Sequence, residues 1–346
     1  MTTKNEIKQV SDLGEFGLIK FLTDNIQLKN KQSVYGIGDD AAVLDYKNKK
    51  VIVTADILTE GVHFDLVYTP LKHLGYKAVV VNLSDIYAMN AIPKQIIVSI
   101  AFSSKFSVQA LEQLYEGIKT ACDMYNVDLV GGDTTSSVTG MVISITAVGE
   151  AENNKLCYRN GAKINDLICV TGNLGAAYMG LQLLEREKTV FTGNTNVQPQ
   201  LDGYEYILER QLKPEARKDI ISILGEKNIV PTSMIDISDG LSSELFHICT
   251  QSNVGCNIYE EKIPIDHNTF EMAEEMNMEP LIAALNGGED YELLFTVPMS
   301  EYENISSLQK ISVIGHITEQ SQGLNLVTQD NRTIPLKARG WDSFDD

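Results

Sequence analysis

The sequence predicts an α+β amino-terminal domain ending near residue 150, followed by an α/β carboxy-terminal domain over residues 151–346. Three observations predict it. The chain has 346 residues, 43% of them hydrophobic, enough for two cores. Up to residue 150, segments rich in Val and Ile outnumber helical ones. Beyond the polar turn Ala151 to Lys155 the order becomes strand, Gly-containing turn, helix, as in an α/β layer.

The elements follow in order. A helical opening is predicted around Gly14 to Leu28. Strands are predicted at Ala41 to Leu44, Lys50 to Ala55, Gln95 to Phe102 and Met141 to Val148, where β-branched residues concentrate. Two helices lie among them, Leu71 to Met89 and Val108 to Tyr125. In the second, Leu111, Leu114, Tyr115, Ile118, Ala121, Cys122 and Tyr125 recur at helical spacing on one face. The carboxy-terminal domain opens with strand Leu167 to Thr171, the turn Gly172-Asn173-Leu174-Gly175 and helix Ala176 to Glu187. The polar, unpatterned Thr192 to Gln200 reads as a surface loop.

Charge and composition exclude several functions. Lys and Arg number 28 against 47 Asp and Glu, a formal charge of −19, which repels a phosphate backbone and argues against nucleic-acid binding. No apolar run approaches the roughly 18 residues that cross a bilayer, and the start lacks the apolar stretch of a secretory signal. A cytoplasmic protein is expected, with no membrane partner. The five cysteines, Cys122, Cys157, Cys169, Cys249 and Cys256, contain no C-x-x-C, so they read as packing residues rather than disulfides or zinc ligands.

The informative feature is a series of short acidic segments: Gly36-Ile37-Gly38-Asp39-Asp40, Val53-Thr54-Ala55-Asp56, Asn82-Leu83-Ser84-Asp85, Gly131-Gly132-Asp133-Thr134-Thr135, Asp236-Ile237-Ser238-Asp239-Gly240 and Gly287-Gly288-Glu289-Asp290-Tyr291-Glu292. None contains Lys or Arg. Several follow an apolar run, which places the carboxylate where a strand ends. Singly, each is a turn or a helix cap. Together, carboxylates converging on one cleft would repel one another unless divalent cations lay between them, and oxygen-only ligation favours Mg²⁺ over zinc. Magnesium so held is the usual equipment for nucleotide phosphates.

Two familiar nucleotide signatures fail. Gly175 and Gly180 have Walker A separation, but Leu181 stands where Lys is required. Gly36-x-Gly38-x-x-Ala41 with Asp56 beyond it matches the dinucleotide fingerprint, yet Asp39 and Asp40 would oppose a pyrophosphate, and Ala41 to Leu44 reads as strand rather than helix.

The ordered motifs Gly36 to Val43, Asn82 to Met89, Gly131 to Thr135, Asp236 to Leu241 and Gly287 to Phe295 make the chain resemble the thiamine-monophosphate kinases, in the aminoimidazole ribonucleotide synthetase superfamily. The resemblance spans nearly the whole chain. It implies ATP-dependent phosphorylation of thiamine monophosphate to the diphosphate, and an amino-terminal ATP- and magnesium-binding domain of the synthetase type whose sheet dimerises. The carboxy-terminal α/β domain would complete the substrate site. It also implies several Mg²⁺ ions held by Asp40, Asp56, Asp85, Asp133, Asp236 and Asp239, with oxygen from Thr54. Around ATP it places Tyr115, Gly132, Asp133, Arg159 and Ser238, and around thiamine His63, Glu289 and the sole tryptophan, Trp341. Ala55 departs from the hydroxyl residue of many relatives, so only its backbone carbonyl could ligate. The alternatives are another ATP-dependent member of the superfamily, of the selenophosphate synthetase kind, and a non-catalytic binder of magnesium nucleotide. Against the first, no Cys lies near the amino terminus.

Overall fold

The structure is a computed structural model and describes residues 21–35, 43–47, 49–193 and 199–337. The chain folds as two units, Met1–Ile86 with Ile92–Asn153, and Tyr87–Ala91 with Asn154–Asp346. The switch between them at Asn153 falls three residues beyond the expected position.

The first unit runs β1 (Ser33–Tyr35), β2 (Val43–Leu44), β3 (Lys50–Thr59), α1 (Leu71–Ala88), β4 (Ile92–Phe102), α2 (Val108–Tyr125), β5 (Asp128–Ser136) and β6 (Val142–Ala151). Four strands form one sheet in the order β3-β6-β4-β5, antiparallel except for the β4–β5 pair. Helix α2 forms where the apolar spacing predicts it. Ser107 accepts the Ala110 N–H at its start, and Asn126 closes it in the left-handed conformation. Its inner residues Leu111, Leu114 and Ile118 are fully buried, as are Ile96, Val98 and Ile100 of β4. Opposite this core the sheet keeps an open face, on which Val51, Val53, Ile57 and Ile97 are exposed.

Two strands are longer than the sequence predicts. β3 continues to Thr59, so Asp56 lies inside it rather than at its end. β5 runs to Ser136 because its parallel ladder with β4 holds through Phe102 and Ser136, which places Asp133 inside a strand too. A ladder with a long neighbour overrides the turn preference of Gly-Gly-Asp.

The second unit contains β7 (Leu167–Thr171), α3 (Ala176–Gly193), α4 (Glu205–Leu212), α5 (Lys218–Glu226), β8 (Ser233–Asp236), α6 (Leu241–Ser252), β9 (Val254–Tyr259), α7 (His267–Glu275), α8 (Pro280–Asn286), β10 (Leu293–Val297), α9 (Tyr302–Ser306), β11 (Ile311–Glu319), β12 (Leu324–Val327) and β13 (Thr333–Pro335). Its seven strands are ordered β13-β12-β9-β11-β7-β10-β8. β10 is antiparallel to both β7 and β8. The ends of β7 and β8 and the start of β10 therefore meet at one sheet edge, where three of the Gly-containing motifs lie. Helix α3 extends six residues past the expected Glu187, absorbing the start of the predicted loop. The five cysteines are buried and free. Among the described residues, no helix is long and apolar enough to cross a membrane.

Candidate functional site

In the first unit, strand β3 and helix α1 bring oxygen ligands together. Thr54 and Asp56 alternate on the half-buried side of β3, while Val53, Ala55 and Ile57 take the exposed side. The Thr54 hydroxyl donates to Asp85 Oδ2 at 2.5 Å. The Asp56 N–H donates to Asn82 Oδ1 at 3.0 Å, and Asn82 is itself fixed by donating Nδ2 to the Ala78 carbonyl at 3.0 Å. Burial first, and then the Asp85 carboxylate, push the Asp56 acid up to about 6. A divalent cation would reverse that direction. The donor set is oxygen throughout, which fits Mg²⁺.

Asp133 is not part of this pair. Across the sheet it stands level with Ser99, Ser144 and Ile57, at the opposite edge from β3, so three strand spacings of about 4.8 Å separate it from that strand. Its side chain is exposed and accepts the Thr134 N–H at 2.9 Å. Thr134 turns the other way and hydrogen-bonds Tyr115, whose phenol is pushed up to about 12, mainly by burial. Tyr115 is thus a packed residue beneath the Gly132–Asp133 segment. Among the described residues, no three His, Cys, Asp or Glu side chains converge as a metal cage. Within the first unit, Asp133 therefore stands apart from the Thr54, Asp56 and Asp85 oxygens. Ala55 sits opposite Thr146 with its methyl on the exposed face, leaving its carbonyl as the only group it could offer. Asp40 and Trp341 lie outside the described residues.

His63 closes a tight turn in the same unit. Its Nδ1 accepts the Thr59 N–H at 3.1 Å, which fixes the ring proton of the neutral imidazole on Nε2.

In the second unit, Asp236 ends β8 and is buried opposite Leu293. Ser238 and Asp239 follow, both half-buried. Burial raises the Asp239 acid, and the charges of His247 and Arg159 pull it back. Arg159 is exposed and directs its charge at this aspartate, which places it where an anion beside Ser238 and Asp239 would meet it. Glu244 is buried and accepts the Asp239 N–H at 3.1 Å; burial raises its acid to about 7.

The Gly287–Glu292 loop is pinned against this segment. Glu289 N–H donates to Ser238 O at 2.7 Å and Tyr291 N–H to Ile237 O at 2.9 Å. A Cβ on Gly288, at φ 70°, would lie 2.5 Å from Ser238 O, and one on Gly240, at φ 117°, 2.9 Å from Leu285 O, so both positions require glycine. Gln211 Nε2 donates to Glu289 Oε2 at 2.8 Å. Glu292 is buried between Arg210 at 3.0 Å and Arg217 at 3.1 Å, and accepts the Thr171 hydroxyl at 2.5 Å. Asp290 is buried and accepts the Gly175 N–H at 2.8 Å; burial raises its acid to about 7, against the pull of Arg210. The sequence reading missed Gln211, Arg210, Arg217, Glu244 and His247. None sits in a Gly/Asp motif, and only the spatial neighbours of Asp239, Glu289, Asp290 and Glu292 reveal them.

A family model described as AIR synthase related protein, N-terminal domain, matches residues 38–151, and its C-terminal domain counterpart matches residues 163–325. The thiamine-monophosphate kinase of Bacillus subtilis is 35% identical over 338 residues, covering 96% of this chain and all of that protein. That of Escherichia coli is 32% identical over 340 residues, covering 96% and 98%. A solved structure of AaThiL complexed with AMPPCP and TMP aligns over 98% of this chain and 100% of its own at 32% identity, with a TM-score of 0.75. The hydrogenase maturation protein HypE in complex with ATP, at 17% identity, covers 93% of this chain and 95% of its own with a TM-score of 0.73, a likeness of fold alone.

Proposed function

Because the chain belongs to the thiamine-monophosphate kinase family of AIR synthase related proteins, we propose that it transfers the γ-phosphoryl group of ATP to thiamine monophosphate, giving thiamine diphosphate and ADP. The observation that carries the reading is the all-oxygen set of Thr54, Asp56 and Asp85, in which one acid is pushed up to about 6 beside another.

Both substrates are anions and the acceptor is a phosphate oxygen already charged at neutral pH, so no general base is required. The obstacle is repulsion, and positioning is what the protein has to supply. In the first unit Thr54, Asp56 and Asp85 would hold magnesium, with the Asp40 segment and the Ala55 carbonyl as further oxygens, and Asp133, three strands away, would serve a separate ion. In the second unit Asp236 and Asp239 have the same role. Magnesium held by these residues would supply positive charge to offset the charge that develops on the phosphates. Arg159 and Ser238 are suited to bind phosphate, and Gly132 to let a nucleotide approach the backbone, with Tyr115 supporting that segment from below. His63 and Glu289 are suited to the thiamine end, Glu289 by its negative charge. Trp341 is the aromatic plane we assign to the same ring.

The reading includes a homodimer formed through the open sheet face of the first unit. Exposed Val51, Val53, Ile57 and Ile97 at 48, 62, 56 and 36% form an apolar patch of the kind that marks a protein interface. It also places the enzyme in the cytoplasm, where ATP is at hand and the five thiols stay reduced. Incubation with ATP, Mg²⁺ and thiamine monophosphate, followed by chromatography, tests the activity. Formation of thiamine diphosphate supports it, and ATP binding without product would reduce the protein to a nucleotide binder.

A further inference from the structure

Gln211, the last residue but one of α4, is buried at 5% exposure. Desolvating an amide is costly unless it is hydrogen-bonded, and Nε2 of this one goes to a half-buried carboxylate, Glu289 Oε2, at 2.8 Å. The preceding residue grips the same loop. Arg210 Nη2 donates to the Asp290 carbonyl at 2.9 Å and pairs with Glu292 Oε1 at 3.0 Å. Two consecutive helical residues thus hold the loop at three points.

The held loop is strained. Glu289 and Tyr291 have φ 57° and 52° without being glycine, a conformation that persists only where the surroundings enforce it. Arg210 and Glu292 enforce the backbone, and Gln211 fixes the side chain that the backbone delivers. A glutamate side chain loses rotamer freedom when ordered, and ordering it beforehand spares a ligand that cost.

The choice of glutamine is informative. Lys or Arg at this position would hold the carboxylate equally well but cancel its charge. A neutral amide orients the carboxylate and leaves the charge intact. We propose that Gln211 is a positioning residue for recognition of the cationic heterocycle, presetting Glu289 while preserving its negative charge. The inference rests on the reading that Glu289 meets thiamine monophosphate.

Steady-state kinetics of the full-length Q211M, Q211K, E289A and Q211M/E289A variants test it, with thermal melts alongside. Methionine fills the same volume without a donor. Q211M is expected to raise KM for thiamine monophosphate roughly tenfold, the usual worth of a hydrogen bond to a charged group, with KM for ATP unchanged within twofold. Q211K is expected to raise it further although it can pair with Glu289, and the double variant to be no worse than E289A. Equal effects on both substrates, or additive losses in the double variant, would assign Gln211 a purely structural role and overturn the proposal. An altered E289A beside an unaltered Q211M would overturn it while leaving the assignment of Glu289 standing. An unaltered E289A would instead remove the premise that Glu289 binds substrate.

Discussion

Thr54 on β3 donates its hydroxyl to Asp85 on α1 at 2.5 Å, and two residues along the strand Asp56 gives its N–H to Asn82, three residues before Asp85 on the helix. The strand's period of two and the helix's period near four therefore match at this point, and the match presses Asp56 and Asp85 together.

Removing one charge of that pair separates ligation from folding. Asp85→Asn is expected to lower turnover by about 100-fold or more, with partial rescue at high magnesium. The metal-free protein should melt at a higher temperature than wild type, because Asp56 loses a like charge. Kinetics and calorimetry in chelator check both, and wild-type turnover would remove Asp85 from the ligand set. Asp239→Asn should lower turnover in the same way.

Asp290 governs a pH dependence of stability. Its folded acid, raised to about 7, keeps a proton that the unfolded chain has lost above about pH 4. Stability therefore falls as pH rises from about 4 to about 7 and is flat beyond, with a slope of at most about 1.4 kcal/mol per pH unit from this group. Asp290→Asn should remove that contribution, matching wild type near pH 4 and exceeding it near pH 8. Denaturant titrations across that range in chelator measure the difference.

Gly288→Ala should destabilise the protein by about 2 kcal/mol or more, since it adds a Cβ at positive φ against Ser238 O. A fall in the unfolding midpoint checks this. A change within experimental error would show that the loop relaxes away from Ser238.

Val53→Asp on the open sheet face should convert the proposed dimer to monomer. Sedimentation read against wild type decides it, and a wild-type monomer would place no partner on this face.

Trp341→Ala should raise KM for thiamine monophosphate more than for ATP. Equal small effects, seen in paired titrations, would assign the ring to anchoring the chain end.

The sequence made legible what local pattern encodes. Val108–Tyr125 is a helix over its whole predicted span because its apolar residues repeat at helical spacing on one face. Leu167–Thr171 is a strand of the predicted length because a dense β-branched run meets a glycine turn. Asp56 and Asp133 were legible as acids but not as mid-strand residues, because the pairing that extends β3 and β5 comes from β6 and β4, which are distant in sequence. That same pairing puts Asp133 at the far edge of the sheet, which no spacing in the motif could report. Gln211 and Arg210 were invisible for a related reason: they occupy an ordinary polar stretch of α4, and only the fold carries them 78 and 80 residues away in sequence to the Glu289 loop.

The interlock of Gly240 against Leu285 and of Gly288 against Ser238 bears on any effort to re-engineer the enzyme. Each loop is the mould for the other, so a graft of Gly287–Glu292 from a relative would arrive without its counter-surface. With Glu289 at the acceptor as proposed, retargeting it would mean transplanting both segments together with the Arg210–Gln211 step, as one cassette.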